Sequence, residues 1–115
     1  MKYDVNGNFI WYKIFNTGSS DIGKGITVDS TENIYMTGYN MTGTKMDAFI
    51  ANYDSNGNQI WNLTWDVTEQ DKPFDIVYDN NGYLYITGTM QNSNFKNWAF
   101  LAKYSYNGAK IWEKY

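Results

Sequence analysis

The chain has 115 residues, with nine lysines and no arginine against twelve acidic residues, for a net charge of −3. Cysteine and histidine are absent, which excludes disulfides, thiolate metal sites, cysteine nucleophiles and the Ser-His-Asp arrangement. No basic stripe suggests a nucleic-acid partner, no stretch approaches the ~18 apolar residues of a membrane span, and the N-terminal MKYDVNGNF lacks the apolar core of a signal peptide.

In chain order, the first signal is Asn6-Gly7, followed by the β-forming run 9–15. Asn-Gly supplies positive φ at little cost and so reads as a hairpin turn, with Asp4 able to accept bonds from the turn backbone. Alternation then predicts strands over 25–29 and 33–38, the second being Ile34-Tyr35-Met36-Thr37-Gly38. A polar run after Asp29 makes the turn between them. Strands over 47–53 and 59–65 follow, joined by Asn56-Gly57. The same order recurs over 75–79, 83–88, 98–104 and 110–115, with Asn107-Gly108 closing the last hairpin. No segment carries a helical apolar period. The loops Tyr39–Met46 and Thr89–Asn97 differ between the two copies, and Asp21 and Asp71 are placed in loops that enter the inner strands.

The order is a tandem repeat. Tyr3-Asp4-Val5-Asn6-Gly7 aligns with Tyr53-Asp54-Ser55-Asn56-Gly57 and with Tyr104-Ser105-Tyr106-Asn107-Gly108, at a spacing of about 50 residues. One inserted residue marks the loop before Ala99-Phe100-Leu101-Ala102, which matches Ala48-Phe49-Ile50-Ala51. Four short strands repeated at this length describe an all-β protein of β-propeller blades, each a four-stranded antiparallel meander. The expected units are 1–15 (a partial blade or outer strand), 16–65 (blade 1) and 66–115 (blade 2). Because the first residues already belong to a repeat, the chain also reads as a piece of a longer protein or an engineered fragment without its own task.

Tyr-Asp-x-Asn-Gly-Asn-x-Ile-Trp, then Asp21, Gly-Ile-x-Val-Asp29 and Asn-Ile-Tyr-x-Thr-Gly38 resemble the seven-bladed β-propeller (SBBP) repeat. The second copy departs from it at Pro73, Asp75 and Tyr78, changes expected to alter the loop before the innermost strand. The resemblance implies a propeller blade of the kind found in large extracytoplasmic or surface proteins of bacteria and archaea. A lesser resemblance is to quinoprotein blades, but the cation-binding apparatus those enzymes place on the ring axis is not shown by two blades. No cofactor or metal is expected.

Trp11, Trp61 and Trp112 recur at one repeat position, which assigns them to docking between blades, each burying ~150–250 Å². Where the copies disagree, side chains are free to serve binding: Trp65, Trp98 and Tyr39 are the loop-binding candidates. Asp29, Asp79, Asp21 and Asp71 read as backbone-bonding residues. The Asp-x-Asn-Gly-Asn turn lacks the glycine and glutamate spacing of a calcium loop. Two blades leave an apolar face at each end, and such faces must be capped, continued or closed into a ring. The expected function is thus non-enzymatic: a scaffold or binding module, self-associating as three or four chains, with a protein or glycan as further partner. The rival is a carboxylate-based hydrolase using Asp21, Asp71 and Asp75 on the ring axis.

Overall fold

A computed structural model describes residues 1–65 and 70–115, and the described residues form ten strands and no helix. β1 (Lys2–Tyr3) and β2 (Phe9–Trp11) make a short two-stranded hairpin. β3 (Ser20–Val28), β4 (Ile34–Thr42), β5 (Lys45–Tyr53) and β6 (Gln59–Trp65) form one four-stranded antiparallel sheet in sequence order. β7 (Asp71–Tyr78), β8 (Tyr83–Gln91), β9 (Asn97–Ser105) and β10 (Lys110–Lys114) form the second. Both are propeller-type meanders, called blade 1 and blade 2 below. The alternating, aromatic-rich runs thus form strands, as their period requires.

The turns behave as their residues dictate. Gly7, Gly57 and Gly108 have φ of 83°, 80° and 90°, the left-handed region that glycine enters without a Cβ penalty. Asp4 Oδ1 accepts the Asn6 and Asn8 amides at 2.9 and 2.8 Å, and Asp54 repeats this with Asn56 and Asn58 at 2.9 and 2.8 Å. Each turn is followed by a bulge, with Ile10, Ile60 or Ile111 as the extra residue. A bulge shifts the side-chain alternation by one. These isoleucines are half-exposed, and of the tryptophans that follow them Trp11 and Trp61 are turned toward the next sheet.

A second bulge, in the inner strand, explains the Thr-Gly ending of the inner hairpin. Gly23 pairs with Gly38 and Gly25 with Thr37, leaving Lys24 as the extra residue; Pro73, Phe74 and Asp75 repeat this opposite Gly88 and Thr87. A Cβ at Gly38 would run into the Ile22 carbonyl oxygen, and one at Gly88 into that of Lys72. Thr37 Oγ1 meanwhile donates to the Phe49 carbonyl at 2.8 Å, and Thr87 to that of Phe100 at 3.1 Å. The inner strands are therefore longer than expected from sequence. Asp21, Asp71 and Pro73 lie within β3 and β7, not in loops before them. Pro73 is tolerated because β7 is a sheet edge and is bulged there.

The expected loop Tyr39–Met46 is mostly strand, and only Gly43 and Thr44 separate the paired Thr42 and Lys45. In the second copy the extra residue enlarges this turn, with Asn92 Oδ1 accepting the Asn94 and Lys96 amides at 2.9 Å each and Phe95 held at φ 59°. The N-terminal strand is shorter than 9–15, ending at Trp11.

The core lies between the two sheets. Blade 1 contributes Tyr35 and Ile50, blade 2 contributes Ile76, Leu84, Ile86, Phe100, Ala102 and Tyr104, and Trp61, Leu63 and Trp65 pack along the outer side. At the inner strands the backbones nearly touch: a Cβ on Gly25 would lie 2.9 Å from the Asp75 Cα. The Tyr78 amide donates to Thr27 Oγ1 at 3.2 Å.

Candidate docking faces of the two blades

Of the three tryptophans of the repeat, Trp61 lies between the two blades and Trp11 between the N-terminal hairpin and blade 1. Trp61, on β6 of blade 1, crosses to blade 2 and rests on its Asn-Gly turn. A Cβ on Gly108 would lie 3.4 Å from Trp61 Cε3. Trp11, on the N-terminal hairpin, rests in the same manner on the turn of blade 1. A Cβ on Gly57 would lie 3.2 Å from Trp11 Cδ2, and the indole Nε1 donates to the Ser55 carbonyl oxygen at 3.2 Å. Trp112, on β10, meets the Tyr85 ring edge at 6.3 Å on the far face of blade 2. Among the described residues, the Gly7 turn has no ring upon it and no turn glycine lies beneath Trp112.

The same rule places Phe15 and Trp65. Phe15 stacks on Phe49 at 4.3 Å, while Trp65 packs against Tyr104 at 5.7 Å. Each covers the apolar face of the blade that follows it. Trp65 is thus on β6 and belongs to the inter-sheet packing. Trp98 lies on β9 and is half-exposed, and Tyr39 lies on β4 with the Lys24 ammonium 5.6 Å from its ring centre. All three loop-binding candidates are strand residues and the structure does not bring them together in one loop.

Asp29 holds the second turn of blade 1. Its Oδ1 accepts the Thr31 and Asn33 amides at 2.8 and 2.9 Å, and its Oδ2 accepts the buried Tyr35 hydroxyl at 3.0 Å. Burial works to raise the Asp29 carboxyl, but the hydrogen bonds from Thr31 and Asn33 outweigh it and hold the pKa below the usual value. Tyr35 is pushed well above its ordinary value, first by burial and then by its bond to Asp29. Asp79 likewise accepts the Asn81 and Tyr83 amides at 2.8 and 3.0 Å. Among the described residues no three acidic side chains gather in a way that could hold a metal ion.

Where the faces are unpartnered, the same side chains lie open. Ile76, in the joint between the blades, is 2 % exposed, and its counterpart Ile26 on the outer face of blade 1 is 68 % exposed. Ile50 is fully buried in that joint, whereas its counterpart Leu101 on the far face of blade 2 is 44 % exposed. On blade 1 the open part is a cavity of about 770 Å³ lined by Ile26, Val28, Met36, Trp11 and Phe15 among others. The far face of blade 2 is more polar, with the Lys103 ammonium 3.8 Å from the Tyr83 ring centre and 5.0 Å from that of Tyr85.

Sequence reasoning missed Lys2, Ser55 and Phe15 as partners in this arrangement. Their signal was the repeat alignment itself, carried one step further: Trp11, Lys13 and Phe15 stand where Trp61, Leu63 and Trp65 stand one repeat later. No helix among the described residues is long and apolar enough to cross a membrane. No curated protein matches the chain. Residues 10–39, which run from the first docking tryptophan through most of the inner hairpin of blade 1, match the beta-propeller repeat (SBBP) family, the one its sequence resembles.

Proposed function

We propose that this chain is a non-catalytic propeller module that assembles with copies of itself into a closed ring of three or four chains, acting as a scaffold whose ring faces bind a protein or glycan. One observation carries the reading. The joint between blades 1 and 2 buries Ile76 and Ile50, whose counterparts Ile26 and Leu101 on the two outer faces are exposed. The two outer faces are therefore the two halves of that same joint, one at each end of the molecule. Contacts of this head-to-tail kind close into rings when the rotation per step allows it. Six or eight blades fall within the range that propellers use.

The joint between chains does not replicate the internal one. Gly25 lets β3 approach the Asp75 backbone, but the position that would play the part of Gly25 on blade 2 is Asp75, which carries a side chain. The inner strands of neighbouring chains then stand further apart than β3 and β7 do.

Sedimentation velocity on charge-inserting variants tests the reading. Ile26→Glu and Leu101→Glu place an unpaired carboxylate in the proposed joint, and each is expected to shift the full chain toward the monomer. An unchanged sedimentation profile in both variants would contradict it.

A further inference from the structure

The N-terminal hairpin occupies part of the face on which a second copy would dock. Lys2 Nζ and Trp11 Nε1 both donate to the Ser55 carbonyl oxygen, at 3.1 and 3.2 Å. Lys2 also pairs with Glu32 at 3.7 Å, Phe15 stacks on Phe49, and the Lys13 side chain lies against the Gly57 turn. Residues 1–15 are, by the repeat, the outer hairpin of a blade preceding blade 1, and they sit where such a hairpin belongs.

If a second copy docks on blade 1 as blade 1 docks on blade 2, its Trp112 must rest on the Gly57 turn, as Trp61 rests on the Gly108 turn. That place is already taken by Trp11 of the receiving chain, whose hairpin Phe15 anchors on Phe49. The seat is single and the claimants are two. They are also alike, since Lys2-Tyr3 and Ile10-Trp11 correspond to Lys103-Tyr104 and Ile111-Trp112.

We propose that residues 1–15 form an intramolecular plug on blade 1, which the β9–β10 hairpin of a second copy displaces when the chains join. The proposal rests on the self-assembly reading and deepens it. The cavity beside Ile26, Val28 and Met36 is the part of the seat that the plug leaves open, where the inner strands of the incoming blade fit. Because the plug must leave first, only the unplugged fraction is competent, and the apparent affinity between chains is reduced by that fraction.

The test is light scattering of the full chain over a dilution series, comparing the unsubstituted protein with Trp11→Ala, Phe15→Ala and Trp112→Ala. Trp11→Ala and Phe15→Ala loosen the plug, and each is expected to lower the concentration at which association sets in by about tenfold. Trp112→Ala weakens the incoming hairpin and raises that concentration. The sign separates the plug from a merely structural role, in which losing an aromatic anchor would weaken association as well. Phe15→Ala leaves the Trp11 contact in place and repeats the test should Trp11→Ala disturb folding. If both plug variants associate no more readily than the parent while Trp112→Ala associates less, the plug is overturned and the ring reading stands. If no variant associates at any concentration, both are overturned.

Discussion

The indole N–H of Trp11 donates to the carbonyl oxygen of Ser55 at 3.2 Å, across 44 residues of chain. That bond ties the N-terminal hairpin to the turn of blade 1, just as the ring of Trp61 lies on the turn of blade 2. The same sequence position therefore marks the contact at both of these steps of the repeat. It also separates a tryptophan inside the joint from one at its edge, and this gives the first prediction.

Trp61 packs against the core between the sheets, so Trp61→Ala should destabilise by about 3–5 kcal/mol, as large aromatic truncations do. Trp11→Ala, which touches only the peripheral hairpin and one turn, should cost less. Urea unfolding of the two variants under conditions where the chain is monomeric checks the ranking. Equal losses would contradict the distinction.

Phe95 is held at φ 59° in the turn between β8 and β9, and its side chain is largely exposed. The left-handed conformation costs a side-chain-bearing residue about 1–2 kcal/mol, and little packing offsets it here. Phe95→Gly should stabilise the protein by a fraction of that, because the freer unfolded chain of glycine offsets part of the gain. A thermal melt that fell by several degrees would contradict this account of the turn.

Gly38 and Gly88 are required by the bulged inner strands, since a Cβ at either meets a backbone carbonyl oxygen. Gly38→Ala and Gly88→Ala should each destabilise by about 1–3 kcal/mol through the shift they force. Gly23→Ala should be milder, because the nearest atom is the flexible Met36 Cε at 3.6 Å. Denaturation midpoints for the three variants would show the order.

Hydrogen bonds depress the carboxyls of the turns. At Asp4 the bond from the Asn8 side chain leads, and at Asp54 the bond from the Asn58 amide leads; at Asp29 and Asp79 burial opposes the bonds but does not overcome them. In the folded chain all four have pKa values below the ordinary aspartate value. Their contribution is fully present above the unfolded value and is lost as pH falls through it toward the lower folded values. The melting temperature should therefore drop below about pH 5 and keep dropping toward pH 2. Asp29→Asn, which removes one of the titrating groups, should flatten that slope; an unchanged slope would count against Asp29 as a contributor.

The turns and the four-strand order were legible because their chemistry is local. Asn6-Gly7, Asn56-Gly57 and Asn107-Gly108 specify their φ values without help from the rest of the chain. The bulges were not legible. Ile10-Trp11 reads as plain alternation, and only the pairing of β1 with β2 shows that one of the two residues is extra. Gly23-Lys24-Gly25 and Pro73-Phe74-Asp75 look like loop sequence, yet they lie in strands whose irregularity is absorbed by Gly38 and Gly88 across the ladder. For the same reason Tyr39, after Gly38, reads as loop sequence though it lies in β4. Glycine in a strand usually signals weakness, and here it signals a close carbonyl.

The candidate docking faces were legible as a problem, since two blades must leave two unpartnered faces. Which residues form them, and that the N-terminal hairpin sits on one, depends on contacts between Phe15 and Phe49 and between Lys2 and Ser55 that no local pattern encodes.

The mass of the full chain in solution tests the central claim most directly. Multi-angle light scattering from micromolar concentration upward should show the mass rising from that of the 13.4 kDa chain to a plateau at three or four chains, as a closed ring requires. A mass that stays at one chain throughout, or one that grows without a plateau, would contradict it.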